Sequence, residues 1–318
     1  MTAQPLSPPR VPEAPVVARR RRRVRSTVIL PYTLIAPALL VLGLMLGYPL
    51  VKLVLFSLQK FGLAQQFGTP APFVGFANYH QVLTDPELWT VLVRTLVFCA
   101  VTVVLTMVLG TLLALLAQRL HAAIRIVMLT MLLLVWAMPP VSSAVVWQWM
   151  FDSQYGVVNW VLTKLGGNYD GHSWLENPTS FFVVAALLVV WMGLPFVTFT
   201  VFAALTQVPG EVLEASQLDG ANGFQRLRYV IVPYLTPVLL ILTTLSVLWN
   251  FQIFNQIYVL QRAGGISRDT NLLGNYAFQV SIGQNRFDVG GAIAVVMVVL
   301  TLALTGVYLR QMTKQEDQ

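Results

Sequence analysis

The chain has 318 residues, of which 56% are hydrophobic and only 10% charged, with a formal net charge of +7. Soluble globular domains carry about 25% charged residues, so this composition excludes an ordinary soluble enzyme or binding domain and points to a membrane protein. The single cysteine, Cys99, excludes an intrachain disulfide, and its apolar surroundings suit a small buried hydrophobe rather than a metal or redox site.

Residues 1–27 are rich in proline and arginine, with a run of arginines at 19–23 and Arg25 directly before the first apolar stretch. Such a segment has too little apolar content to fold alone. Its charge predicts a topology anchor that keeps the tail, and with it both termini, in the cytoplasm. Contact with anionic lipid is a secondary role. The apolar stretch that follows is too long for a signal-peptide core and lacks a small-residue cleavage site.

A membrane-spanning helix needs about 20 predominantly apolar residues. Five windows, at 95–118, 126–151, 181–210, 230–261 and 289–309, hold no Asp, Glu, Lys, Arg or His, and a sixth at 28–58 holds only Lys52. They predict an all-α membrane protein whose transmembrane domain, residues 28–312, has six transmembrane helices. The spans are expected at about 28–58, 95–118, 126–151, 181–206, 230–261 and 289–309, with a cytoplasmic tail at 313–318.

Between the first two spans, Asn78, Asp85 and Pro86 are turn and cap signals that predict a short helix on the outer face. The link around Arg119 to Arg125 is too short for anything but antiparallel neighbours. The Pro139 and Pro140 pair is expected to break the third span, and Pro195 the fourth. Trp147, at the outer end of the third span, is a weaker pathway candidate, because interfacial tryptophans usually form a belt.

Residues 209–229 are a polar insert between two spans. Pro209 and Gly210, with Glu211 and Glu214 after them, predict a helix start that complements the dipole. Gly220 permits a left-handed bend. A second short helix is expected from about Asn222 to Tyr229, with Pro233 and Pro237 marking the return into the membrane. Leu213, Leu218, Phe224 and Leu227 are candidate apolar knobs, and Glu214, Arg226 and Arg228 candidate rim contacts.

In the fifth span, at about 100° per residue, Trp249, Gln252, Asn255 and Gln256 share an arc of roughly 120°. An indole plate beside three neutral amides suits a sugar, whose C–H faces stack and whose hydroxyls both donate and accept. Polar groups at bilayer depth face a partner or a watery path; the alternative, that these amides only join helices, stays open here. Tyr258 is a further pathway candidate. Spans without ionisable groups argue against proton- or sodium-coupled carriers and ion channels. The sequence has no Gly-x-x-x-x-Gly-Lys-Ser/Thr run for ATP hydrolysis. His80, His121 and His172 fall outside the spans, which leaves no constellation for an intramembrane enzyme.

Residues 214–237, EASQLDGANGFQRLRYVIVPYLTP, resemble the EAA loop of ABC importer permeases, through Glu214-Ala215-Ser216, Asp219-Gly220-Ala221, Val232-Pro233 and Pro237. Residues 75–79, 248–260 (LWNFQIFNQIYVL) and 271–291 (NLLGNYAFQVSIGQNRFDVGG) are similar to stretches of the binding-protein-dependent sugar permeases, the maltose-type branch of that family. The resemblance implies an ABC type I importer permease in a bacterial or archaeal cytoplasmic membrane. It implies that the loop forms coupling helices docked on an ATPase, through Glu214, Ala215, Asp219, Gly220, Ala221, Phe224, Arg226 and Pro233. The implied partners are a second, homologous permease subunit, two ATPase subunits that hold ATP and Mg, and an extracytoplasmic solute-binding protein. No metal site or cofactor on this chain and no nucleic-acid partner are implied. The expected activity is import of a neutral sugar, an oligosaccharide, by alternating access. A polyol or glycerol-phosphate permease and an ion-coupled carrier are the alternatives.

Overall fold

The computed structural model describes residues 24–316, so the arginine run at 19–23 lies outside the described residues. Two compact units divide between Lys52 and Leu53. The first holds α1 (Val24–Leu42), a π-helical turn at Gly43–Gly47, and the start of α2 (Tyr48–Ser57). Within it the Lys52 ammonium lies 5.7 Å from the Tyr48 ring centroid, a cation–π contact.

The second unit continues with α3 (Leu63–Gln66), α4 (Ala77–Thr84) and α5 (Pro86–Arg119). Asn78 does more than mark a turn. It is buried, and its amide donates to the carbonyls of Ser57 and Gln59, both at 2.9 Å. Asp85 caps α5 by accepting from Glu87 N at 2.9 Å, with Pro86 at the first helical position. This cap, rather than hydropathy, sets the start of α5 well before the charge-free window at residue 95.

Next come α6 (Ala122–Ala137) and α7 (Pro140–Met150), the two halves of the third span, bent by 104°. The break falls at Met138 and Pro139, where a residue before proline is driven out of the helical region. After α8 (Val157–Lys164), α9 (Pro178–Leu205) runs through Pro195 without interruption. The expectation that Pro195 breaks the fourth span is therefore corrected. On either side of Pro195, Gly193 and Val197 pack closely on Thr106 and Gly110 of α5, and this packing offsets the bond and the fit that an interior proline loses.

The chain then forms α10 (Gly210–Leu218), α11 (Gly223–Arg226), a π-helical turn at Leu227–Ile231, and α12 (Val232–Phe251). The expected separate second coupling helix is also corrected, because residues from Gly223 to Phe251 form one continuous rod. The π turn explains this. Val232 N–H reaches back to Leu227 O in the wider turn, and Pro233, which has no N–H to place, follows in the first turn of α12. The remaining helices are α13 (Asn255–Arg262), α14 (Ser267–Thr270), α15 (Leu273–Phe278) and α16 (Phe287–Glu316), with a π turn at Gln279–Gly283. Among the described residues the only β pairings are isolated bridges, Gln59 with Phe73 and Gly62 with Arg286.

Among the described residues five helices are long and apolar enough to cross a membrane, or six if the bent α6–α7 pair is one span. A helix apolar all round belongs in the interior, and α9 is such a helix, with Phe181, Leu188, Val197 and Val201 all buried. It lies against α5 at a crossing stripped of side chains. A Cβ on Gly110 would stand 2.7 Å from Val197 Cγ1, and one on Gly193 2.9 Å from Thr106 Cγ2. Small residues let two membrane helices approach this closely. Gly110→Val is therefore expected to destabilise the protein by about 1–3 kcal/mol through overpacking, read as a lower melting temperature of the purified protein.

At the end of the molecule that carries α4, α8 and α14, side-chain bonds tie the loops down. Asn159 donates to His172 O at 2.9 Å and accepts from Trp174 Nε1 at 2.6 Å. Tyr276 donates to Asp85 Oδ2 at 3.2 Å. Burial, followed by the Asp85 and Glu87 carboxylates, pushes its phenol well above the usual tyrosine range, so it remains a donor.

Candidate functional site

The fifth span does not run to residue 261 as expected. The helix ends at Phe251, residues 252–254 are not helical, and α13 starts afresh at Asn255. The single helical face proposed for Trp249, Gln252, Asn255 and Gln256 is therefore corrected. The break itself brings these residues together. All four line one cavity of about 430 Å³, with Asn250, Ile253 and Phe254 beside them.

The rest of the lining comes from the other broken span and from α9: Trp136, Met138 and Pro140, then Met192, Gly193 and Phe196. None of the residues lining this cavity is ionisable. Trp249 is 57% exposed and packs edge-on to Phe196, with centroids 5.0 Å apart and planes at 61°. The Gln256 amide is held weakly by Met192 Sδ at 3.8 Å. Exposed indole, amides and apolar walls together make a surface that stacks and hydrogen-bonds without charge.

Asn250 was missed from sequence, since at about 100° per residue it falls outside the helical arc chosen for its neighbours. Its side chain is the most firmly set amide of the group. Nδ2 donates to Ser246 O at 2.8 Å, and Oδ1 lies 3.0 Å from the Thr102 hydroxyl on α5. Trp136, an indole like Trp249, was not picked out from sequence, and with Met138 and Phe196 it becomes visible only as a cavity wall. Trp147 and Tyr258 are not among the lining residues. Trp147 stacks on Phe151 at 5.7 Å, and Tyr258 stacks on Phe254 at 5.4 Å.

The polar insert forms the second candidate site. Gly220 has φ +77°, and the chain reverses there in a glycine-dependent helix stop. Gly220 N donates to Gln217 O and Ala221 N to Ser216 O, both at 3.0 Å. The next helix opens with a reciprocal cap, Gln225 N to Asn222 Oδ1 at 2.9 Å and Asn222 N to Gln225 Oε1 at 2.8 Å. Leu218 is 89% and Phe224 74% exposed, so two of the four expected knobs project, whereas Leu213 and Leu227 are half-buried. Glu214, Ala215, Asp219 and Pro233 are exposed and Ala221 is half-buried. Arg226 is also half-buried, and its Nε lacks a hydrogen-bond partner among the described residues.

A family described as "Binding-protein-dependent transport system inner membrane component" matches residues 106–314. This chain belongs to that family. The diacetylchitobiose uptake system permease protein DasB of Streptomyces coelicolor is 42% identical, over 94% of this chain and 91% of that protein. The trehalose/maltose transport system permease protein MalF of Thermococcus litoralis is 34% identical, over 88% of this chain and 92% of that protein. The solved bacterial alginate ABC transporter, in complex with a pentasaccharide-bound periplasmic protein, superposes with a TM-score of 0.76 at 18% identity, covering 92% of this chain and 96% of the other. That likeness shows the type I importer permease fold. The family match spans both candidate sites. The chain is thus a multi-pass ABC permease component and a transporter rather than an enzyme.

Proposed function

We propose that this permease imports an uncharged oligosaccharide through the cavity between α6, α7, α9 and the broken fifth span. The observation that carries this reading is the lining: two exposed indoles, Trp136 and Trp249, four side-chain amides and no ionisable group. Carbohydrate uptake by the sequence relatives supports it. Both broken spans contribute residues to the cavity, and irregular backbone is tolerated in a membrane protein where it lines such a space.

Leu218 and Phe224 are the apolar contacts that enter an ATPase groove, with Glu214 and Asp219 at the rim. Ala215, Gly220, Ala221, Arg226 and Pro233 shape the loop that presents them. ATP and Mg bind on two partner ATPases, a second permease completes the pathway, and an extracytoplasmic binding protein delivers the solute. Both termini then face the cytoplasm, on the side of the insert. Closure of the ATPases draws the coupling loops together, and the spans pivot to open the cavity outward.

The test is radiolabelled uptake over a panel of oligosaccharides, polyols and glycerol phosphate, in cells lacking this chain and in cells with it restored. The expected result is accumulation of an uncharged oligosaccharide that requires the ATPases and the binding protein. Uptake that persists without the ATPases, or that prefers glycerol phosphate, refutes the reading.

A further inference from the structure

We infer that Asn275 is the positioning residue that holds the break in the fifth span, and with it the amide wall of the cavity. It lies on α15, is 2% exposed, and donates its amide N–H to Phe254 O at 3.3 Å. Phe254 ends the break, with φ −134° and ψ −58°, and its carbonyl also accepts from Tyr258 N at 2.9 Å. The backbone of α15 comes close at this point, where a Cβ on Gly274 would stand 3.7 Å from Ile253 O. The Phe254 ring is pinned too, stacked on Tyr258 and edge-on to Phe278 at 5.3 Å.

The platform behind the latch is itself anchored. Leu273 N donates to Thr95 Oγ1 at 2.9 Å, and Arg94 Nη1 to Asn271 O at 3.1 Å. Gln261 donates to Asn271 Oδ1 at 3.0 Å, and Asn271 Nδ2 in turn to Gln279. A bond from this platform to Phe254 O therefore fixes where the polar segment of residues 252–256 stands.

The other half of the amide argues for more than packing. Asn275 Oδ1 is buried and has no hydrogen-bond partner among the described residues. A buried acceptor left unmade is costly, and an apolar side chain of the same shape would avoid that cost. The break also leaves the first N–H groups of α13 without intrahelical acceptors. Asn275 donates to the segment in this arrangement, and its free oxygen accepts from one of those N–H groups when the cavity opens to the other side.

This inference rests on the proposed function for the cavity's role and for the partner subunits in the assembly, and its test needs no sugar. The complete importer is assembled in nanodiscs, with this chain in a Cys99→Ala background and partner subunits free of accessible thiols. A reporter cysteine is placed in the break (Gln252→Cys) or on the opposite cavity wall (Met138→Cys), and its rate of modification by a charged methanethiosulfonate is measured. Asn275→Leu is expected to speed labelling at Gln252→Cys about tenfold, and at Met138→Cys less than about twofold. Asn275→Ser, which keeps a short donor, is expected to lie between. Equal acceleration at both reporters, or none at Gln252→Cys, overturns the inference. If Asn275→Leu fails to assemble, the same comparison in Asn275→Ser decides.

Discussion

Replacing Gly220 by proline is expected to abolish ATP-driven uptake while the chain still reaches the membrane. The residue sits at φ +77°, which proline cannot adopt, and its N–H is donated to Gln217 O at 3.0 Å. The combined penalty is about 3 kcal/mol or more, equivalent to roughly 100-fold, if the reversal after α10 is the coupling element. Nothing lies within 4 Å of a Cβ built at this position. The damage is therefore confined to the backbone of the loop and spares the packing of the spans. Gly220→Ala should be milder, because a left-handed alanine costs about 1–2 kcal/mol. Uptake, ATPase stimulation and membrane abundance are measured side by side. Wild-type uptake by Gly220→Pro rules out the loop as the lever.

Trp249→Ala carries the second large effect. The indole is 57% exposed and touches the protein mainly through the edge of Phe196. Its removal opens little core, so the expected loss falls on transport rather than folding. If the ring stacks on a sugar, uptake drops about tenfold, equivalent to about 1.4 kcal/mol, whereas Trp249→Phe, which keeps an aromatic face, retains most activity. The checks are uptake rates across the oligosaccharide panel and the melting temperature of the purified complex. Unchanged transport and selectivity in Trp249→Ala removes the stacking face from the account.

Helix periodicity misled the sequence reading at one place and for one reason. A charge-free run from residue 230 to 261 gives no local signal against a single helix. The interruption after Phe251 depends on groups remote in sequence: Thr102 on α5 beside the Asn250 amide, and Asn275 on α15 at Phe254 O. Asn250 was invisible as a lining residue because its neighbours were placed on a helix that stops one residue after it. In the polar insert, by contrast, Gly220 and Asn222 act through bonds to residues within five positions, so the bend and the helix start were legible locally, although the cap partner Gln225 was not picked out.

Chain composition alone determined a membrane protein with six apolar stretches, because each span must satisfy its backbone internally and therefore announces itself by hydropathy. The reversal at Gly220 and the cap at Asp85 were likewise written in short-range chemistry. Tertiary packing decided the rest. It let α9 continue through Pro195 against α5, whereas the bend of the third span at Pro139 and Pro140 came from local chemistry that the sequence showed. It also gathered Trp136, Met192 and Phe196 opposite Asn250. Apolar side chains look alike along a sequence, and only their neighbours across the bundle determine whether they face lipid, core or cavity.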